Sequence, residues 1–289
     1  MDVELGPVGV WSTQLLGDDG VAAAVELEAL GYPTAWMPGG VGNDVFAPAR
    51  AILEATERLV LAIGVLPIYL HDPTAVAAAA TALQRDFPDR FLLGLGVSHA
   101  PLVEAAAGGR RWERPLATMA AFLDALDAAG GPPPEERVLG ALGPKMLGLA
   151  AARSAGAHPY LVTTDHTRFA REVLGPDPLL APEQGVILET DAATARARAR
   201  QMLGIYLGLP NYTNNLRRFG FGDEDVAEGG SDRLVDALFP WGDEARLAQV
   251  VAAHHAAGAD HVCLQVLGPD PRRAPLDEWR RLAGVLLTA

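Results

Sequence analysis

Hydrophobic positions along the chain fall into two rhythms that alternate. Short, uninterrupted apolar runs appear at Val8–Trp11, Thr34–Pro38, Leu59–Leu66, Phe91–Gly96, Val138–Leu142, His158–Thr163, Leu179–Glu189 and His261–Leu267. Between them lie longer segments with apolar residues at helical spacing, such as Val21, Val25 and the Ala-rich stretch opened by Pro73. Runs apolar on both faces suit parallel strands that are covered on both sides, and strand–helix alternation predicts a parallel sheet. The most telling run is FLLGLGVSHAP, Phe91 to Pro101. It ends in Gly94, Gly96, Ser98 and His99, small and polar residues suited to the mouth of a barrel, where a ligand meets backbone.

Eight such units in one chain predict an α/β fold, a (β/α)8 TIM-type barrel. The rhythm breaks once, before the last strand. Residues 207–241, including LPNYTNNLRRFGF, are rich in Asn, Gly and Asp and read as an irregular insertion and candidate lid. No linker composition divides the rest, so residues 1–289 read as a single barrel domain.

Composition narrows the class. At 289 residues, 49% hydrophobic, the chain has material for one large core. Mean hydropathy is +0.14, yet no apolar run reaches the roughly 18 uncharged residues that a membrane span needs. The acidic start, MDVELGPVGVW, is unlike a signal peptide, so the expectation is a soluble cytoplasmic enzyme. A net charge of −13 disfavours nucleic acid and anionic membranes as partners. Cys263, the only cysteine, lies in the apolar run HVCLQVL and reads as a buried small hydrophobe. All but one of the 23 basic residues are arginine, and the exception is Lys145. Arg196, Arg198 and Arg200 read as a solvated helix face.

In such a barrel the chemistry sits on the loops that follow the strands. Those loops carry no HxH pair, no HExxH and no paired carboxylates, which disfavours metal-assisted hydrolysis, and Ser98 lies in GVSH rather than a nucleophile elbow. What they do carry is glycine and backbone, the means by which a protein holds a phosphorylated cofactor that brings its own chemistry. Gly143-Pro144 opens a helix at Lys145, either an anion-binding helix start or a plain turn. Gly94-x-Gly96 serves either a ligand or simple packing.

RFLLGLGVSHAP, LAIGVLPIYLHDPTAVAAAATALQRDFPDR and LGALGPKMLGLAAARSAGAHPYLVTTDHT together resemble the bacterial luciferase-like monooxygenase superfamily. The resemblance is nearest to its branch of oxidoreductases dependent on the deazaflavin coenzyme F-420. APEQGVILETD, LPNYTNNLRRFGF, GGSDRLVDALFPWGD and AGADHVCLQVL resemble one actinobacterial subfamily of that branch. It covers nearly the whole chain and implies a TIM-type barrel with an insertion, commonly a homodimer. The activity implied is hydride transfer between F-420 and a small organic substrate. Two alternatives stand beside it: an FMN-dependent monooxygenase of the same superfamily, and a non-catalytic flavin or deazaflavin carrier.

By position, the resemblance implies a non-prolyl cis bulge at Gly64-Val65, with Leu66 behind it, backing the ring. It implies ring or phosphate contacts from Gly96, Val97 and Ser98, and ribityl-phosphate contacts from Ala141, Leu142, Gly143, Pro144 and the adjoining Lys145. Tyr160 and Thr163 lie beside them. Sugar-phosphate dehydrogenases of this branch carry Asp-His after the second strand and Glu after the fourth, where this chain has Pro38-Gly39 and His99. His99, and on another loop His71, are therefore candidate catalytic proton carriers, or else they only hydrogen-bond their loops. Trp11 and Trp36 either wall a substrate pocket or pack, and Tyr212 either lines that pocket from the lid or serves the local helices.

Overall fold

A computed structural model of the chain describes residues 3–40, 44–106 and 111–287. Its strands are β1 (Val8–Trp11), β2 (Thr34–Met37), β3 (Val60–Ile63), β4 (Leu66–Pro67), β5 (Phe91–Gly96) and β6 (Arg137–Leu139). They continue as β7 (Gly156–Ala157), β8 (Leu179–Leu180), β9 (Glu183–Leu188), β10 (Trp241–Gly242) and β11 (Val262–Val266). The helices are α1 (Gly20–Ala29), α2 (Phe46–Ala55), α3 (Pro73–Asp86), α4 (Ala100–Ala106), α5 (Pro115–Ala128), α6 (Pro144–Arg153) and α7 (Thr164–Leu174). They are followed by α8 (Ala192–Tyr206), α9 (Pro210–Arg218), α10 (Asp223–Val226), α11 (Asp232–Leu238), α12 (Glu244–Ala256) and α13 (Leu276–Leu286). None of the described helices is long and apolar enough to cross a membrane.

Every described strand pairing is parallel. Strand order runs β10-β9-β11-β1-β2-β3-β5-β6-β7-β8, with β4 beside β5. The two ends of this path belong to one stretch of chain, because only Ala181-Pro182 separates β8 from β9. On one side of that stretch the N–H groups of Ala181 and Glu183 donate to the carbonyls of Ala157 and Pro159. On the other, Asp260 and Cys263 donate to Leu180 and Pro182. Covalent continuity thus closes the ring into the expected TIM-type α/β barrel, and β10 pairs β9 from the insertion.

Two apolar layers follow from this closure. Inside, Trp11, Trp36, Ala62, Leu92, Val138, Ala181 and Cys263 pack together, with Val3 and Leu5 in the same cluster. Outside, the helix faces close over the strands, among them Leu27, Ile52, Leu83, Leu123 and Leu147, all but solvent-free. Each such leucine contributes roughly 1.5–3 kcal/mol through burial. Local signals start the helices as the sequence suggests. Pro73 occupies the first turn of α3 while the Asp72 carboxylate accepts from Thr74 and Ala75, and Asp191 caps α8 through Thr194.

Several expectations need correction. The sixth strand is Gly156–Ala157 rather than His158–Thr163. Pro159 brings no N–H to a ladder, and Leu161 adopts a left-handed φ of 56°, so the chain leaves the sheet there. The fifth strand stops at Leu139, short of Leu142. The third is interrupted at Gly64-Val65, a non-prolyl cis peptide, as the family resemblance implied. Thr163 caps α7, its hydroxyl accepting from the His166 N–H.

The 207–241 segment is not irregular; it contains α9, α10 and α11 around its own core of Leu209, Tyr212, Leu216, Leu234, Val235 and Leu238. Its many polar residues mask a helical apolar spacing. Nor are Arg196 and Arg200 free on a solvated face. Arg196 binds Asp232 and Asp236, and Arg200 binds Asp232 and the Gly230 carbonyl, clamping α8 to α11.

Candidate active site

The mouth of the barrel has two unlike halves. The first is the bulge between β3 and β4. A side chain at Gly39 would sit 2.4 Å from the Leu66 Cα, and one at Gly94 would sit 1.9 Å from the Ile63 carbonyl oxygen. One at Gly96 would meet a Val65 methyl at 2.4 Å. These glycines are therefore set by the bulge itself, which settles Gly94 as packing accommodation. Leu66 is fully buried behind the bulge, while Gly64, Val65, Val97 and Ser98 are half-buried. Trp11 Nε1 donates to the Gly64 carbonyl at 2.8 Å and fixes the bulge from across the barrel.

The second half is made of side chains, several supplied by the insertion. Asn211, at the start of α9, lies 2.9 Å from His99 Nδ1, and the Tyr212 ring packs 5.0 Å from the imidazole. With the Asn211 carbonyl oxygen as acceptor, His99 Nδ1 carries the hydrogen and Nε2 keeps its lone pair. Burial lowers the His99 pKa and the Asn211 bond only partly opposes it, so the ring is neutral at pH 7 and stands as a base.

Tyr212 also packs on Tyr206 and Tyr160, 5.3 and 6.0 Å between ring centres, and Trp11 lies 6.0 Å beyond Tyr160. The Tyr160 hydroxyl is 2.7 Å from that of Tyr206 and 3.1 Å from Gln265 Oε1. A carbonyl oxygen only accepts, so Tyr160 donates to Gln265 and accepts from Tyr206. Burial pushes the Tyr160 and Tyr212 hydroxyls well above their ordinary range.

Beneath them sits Glu183, on β9 and 2% exposed. Burial raises its pKa to about 8 against one opposing hydrogen bond from the Leu161 N–H, and Oε1 has no partner. Deeper still, Trp36 is solvent-free, stacked 4.2 Å from His158 and donating from Nε1 to His261. That corrects its expected place: Trp36 belongs to the barrel core, not to a pocket wall. Cys263 is buried as expected.

The far end of α9 lies beside the start of α6. Gly143 is the N-cap of α6 and Pro144 its first residue; the Met146 and Leu147 N–H groups donate to the Gly143 carbonyl, which leaves the Lys145 N–H as the first-turn donor with no described backbone partner. Arg218, at the end of α9, places Nη1 3.8 Å from where a Gly143 Cβ would stand, and makes no ion pair among the described residues. Ala141 is buried, Leu142 and Thr163 are half-buried, and Pro144 and Lys145 are exposed. His166 Nε2 donates to the Leu142 carbonyl at 2.9 Å, which steadies this turn. The donor set here, a helix start with a guanidinium beside it, suits a phosphate monoester.

The structure thus brings together His99, Tyr160, Tyr212, Trp11 and the bulge, with Gly143 at the far end of α9. It leaves His71 apart, in a cavity formed with Asp44, Phe46 and Val76. Burial lowers the His71 pKa, and Asp44 partly offsets this. Four site residues escaped sequence reasoning: Glu183, Tyr206, Arg218 and Gln265. Glu183 had a signal, a lone acid opening a strand, EQGVIL, that ends apolar.

Residues 12–261 match the family model of the luciferase-like monooxygenases, and the chain belongs to that family. A Mycobacterium tuberculosis protein named "Putative coenzyme F420-dependent oxidoreductase" is 31% identical over 117 residues, 40% of this chain and 33% of that one. The match thus spans about a third of that relative's length. Among solved structures, an F-420-dependent secondary alcohol dehydrogenase in complex with an F-420–acetone adduct aligns with TM-score 0.77. It is 14% identical, over 98% of this chain and 99% of the other. The FMN complex of the oxygenating constituent of 3,6-diketocamphane monooxygenase from Pseudomonas putida aligns with TM-score 0.71 and 15% identity, over 97% and 96%. At such identities the likeness is one of fold.

Proposed function

We propose that this enzyme transfers hydride between coenzyme F-420 and a small organic substrate at the mouth described above. One observation carries the reading: a neutral base and a phosphate-type donor set are spanned by a single helix. Asn211 holds His99 at one end of α9, and Arg218 stands beside Gly143 at the other, about 10 Å along the axis. Gly143, Lys145 and Arg218 would hold the phosphate end of the coenzyme, and Gly64, Val65, Val97 and Ser98 its ring.

When bound, the coenzyme supplies the hydride acceptor or donor. His99 Nε2 takes the proton from a substrate hydroxyl as hydride leaves carbon, or returns it in the reverse direction. Tyr212 and Asn211 hold the imidazole, and α9 keeps bulk water from it. The relative named for F-420 dependence supports this choice of cofactor.

A second reading, an FMN-dependent monooxygenase, is favoured by the FMN complex on the same fold. Titrating the apo-protein with F-420, FMN and FAD, followed by fluorescence quenching, decides between them. F-420 is expected to bind in the micromolar range, with FMN and FAD far weaker. Binding of FMN alone replaces the first reading with the second, and binding of none ends both. Turnover of any substrate with reduced cofactor excludes a mere carrier.

A further inference from the structure

A cavity of about 240 Å³ opens between the loop after β1, the loop after β11 and helix α8. It is separate from the His99 cluster but shares two residues with the mouth's side-chain half. Trp11 forms part of its wall while donating to the Gly64 carbonyl of the bulge. Gln265 lines it while accepting from Tyr160. A molecule held there lies one indole ring away from the bulge. The volume falls somewhat below that of pockets for drug-sized ligands, so the occupant is small.

The chemistry of the lining is amphipathic. Met202 and Ile205 on α8 present apolar surface, and Ile205 is 64% exposed at the rim. Arg198 and Arg273 also line the cavity. Most described arginines reach a carboxylate, as Arg137, Arg153, Arg171, Arg196 and Arg233 do, but these two form no described ion pair. Arg198 spends one N–H on the Leu267 carbonyl at 3.2 Å and forms no described ion pair. The Arg273 side chain has no hydrogen-bonded or ion-paired partner among the described residues. The only acid in the lining, Asp270, is engaged by Arg272, whose hydrogen bonds lower its pKa. Arg198 has no carboxylate partner and the exposed Arg273 has only the through-space attraction of Asp270, so two guanidiniums without an ion pair border one small, partly apolar space, in a protein whose net charge is −13.

We infer that this cavity binds the anionic end of the substrate, and that the substrate is an organic oxyanion, a carboxylate or phosphate ester, whose compact apolar body reaches past Trp11 to the His99 side of the mouth. The guanidiniums pair with the oxyanion through charge-assisted hydrogen bonds. Met202, Ile205 and Trp11 cover the apolar body and direct its other end toward the bulge. This rests on the hydride-transfer reading for the word substrate, but the binding site itself does not.

Calorimetric titration of the apo-protein tests it, with 4-phenylbutyrate, phenyl phosphate and the neutral 4-phenylbutyramide as probes. At least one anion is expected to bind tenfold or more tightly than the amide, and the stronger of the two identifies the oxyanion. Arg273→Gln is expected to abolish that preference, and Arg273→Lys to keep part of it. F-420 affinity should stay within twofold in both variants, and circular dichroism should match that of the parent chain. Equal binding of anions and amide, or no binding of any probe, overturns the proposal. So does a loss of F-420 or FMN affinity in Arg273→Gln, which would assign the cavity to the cofactor. Failure of F-420 to bind, with the anion preference intact and lost in Arg273→Gln, strikes only the choice of cofactor and leaves the anion site standing.

Discussion

The two halves of the mouth are built on opposite principles. Around Gly64-Val65 the protein removes side chains so that backbone approaches backbone, and the neighbours Gly39, Gly94 and Gly96 are determined by that approach. Around Tyr160 the protein crowds in side chains from distant segments: Trp11 from β1, Tyr206 from α8, Tyr212 from α9 and Gln265 from β11. The contrast teaches where tolerance lies. The bare half is a matter of space, so substitutions there should cost stability. The crowded half is a matter of protons and hydrogen bonds, so substitutions there should alter turnover and pH response while leaving the fold.

The largest effect expected falls on the crowded half. His99→Ala should lower kcat/KM about 10²–10⁴-fold, the range for losing a positioned base, with a melting temperature close to the parent's. Imidazole NMR titration should place the His99 pKa below 6.5. A value above that would remove it as the base at neutral pH.

Next comes Glu183. Its pKa rises from 4.5 unfolded to about 8 folded, so between these values the unfolded chain has released a proton that the folded one keeps. Stability should fall with rising pH across that window, by at most about 5 kcal/mol. His158, His166, His254 and His261 act in the opposite sense, since burial depresses each from 6.5 to about 4. They stabilise above pH 6.5 and lose that contribution as pH falls toward 4. Denaturant unfolding between pH 4.5 and 8.5 should thus show a maximum near neutrality, and Glu183→Gln should flatten its alkaline side and steepen its acid side. An unchanged alkaline slope in that variant would mean that Glu183 is ionised in the fold.

The bare half predicts smaller but sharper numbers. Gly94→Ala forces a methyl onto the Ile63 carbonyl, a backbone atom that cannot step aside, and should cost about 3 kcal/mol. Gly96→Ala meets only a Val65 methyl and should cost about 1–2 kcal/mol, most of it restored by adding Val65→Ala. Thermal melts of the three variants check this order. Equal costs for the two glycines would break the distinction between backbone and side-chain obstruction.

How much of this was legible in the sequence follows the same division. Strand–helix alternation and the run FLLGLGVSHAP announced a barrel, and family resemblance placed the bulge at Gly64-Val65, because such features are local. The glycines were visible too, and what the structure adds is that Gly94 and Gly96 are required by the close approach of the bulge. Trp36 looked like a rim residue because strand ends are hard to fix to one residue, and two positions separate core from mouth. Tyr206 and Arg218 could not be found by spacing alone. Each reaches the site only through the packing of α8 and α9, contacts set by closure of the barrel and by a segment whose polar residues hid its helices.

The clamp between α8 and α11 ties these regions mechanically. Arg196 and Arg200 grip Asp232 and Asp236, while the same helix carries Arg198, Met202 and Ile205 along the cavity rim. From its end the chain runs through Leu209 straight into α9 over His99. A tilt of α8 that widens the cavity therefore drags Asn211 and Tyr212 with it, so the two entrances are geared together like doors on one hinge post.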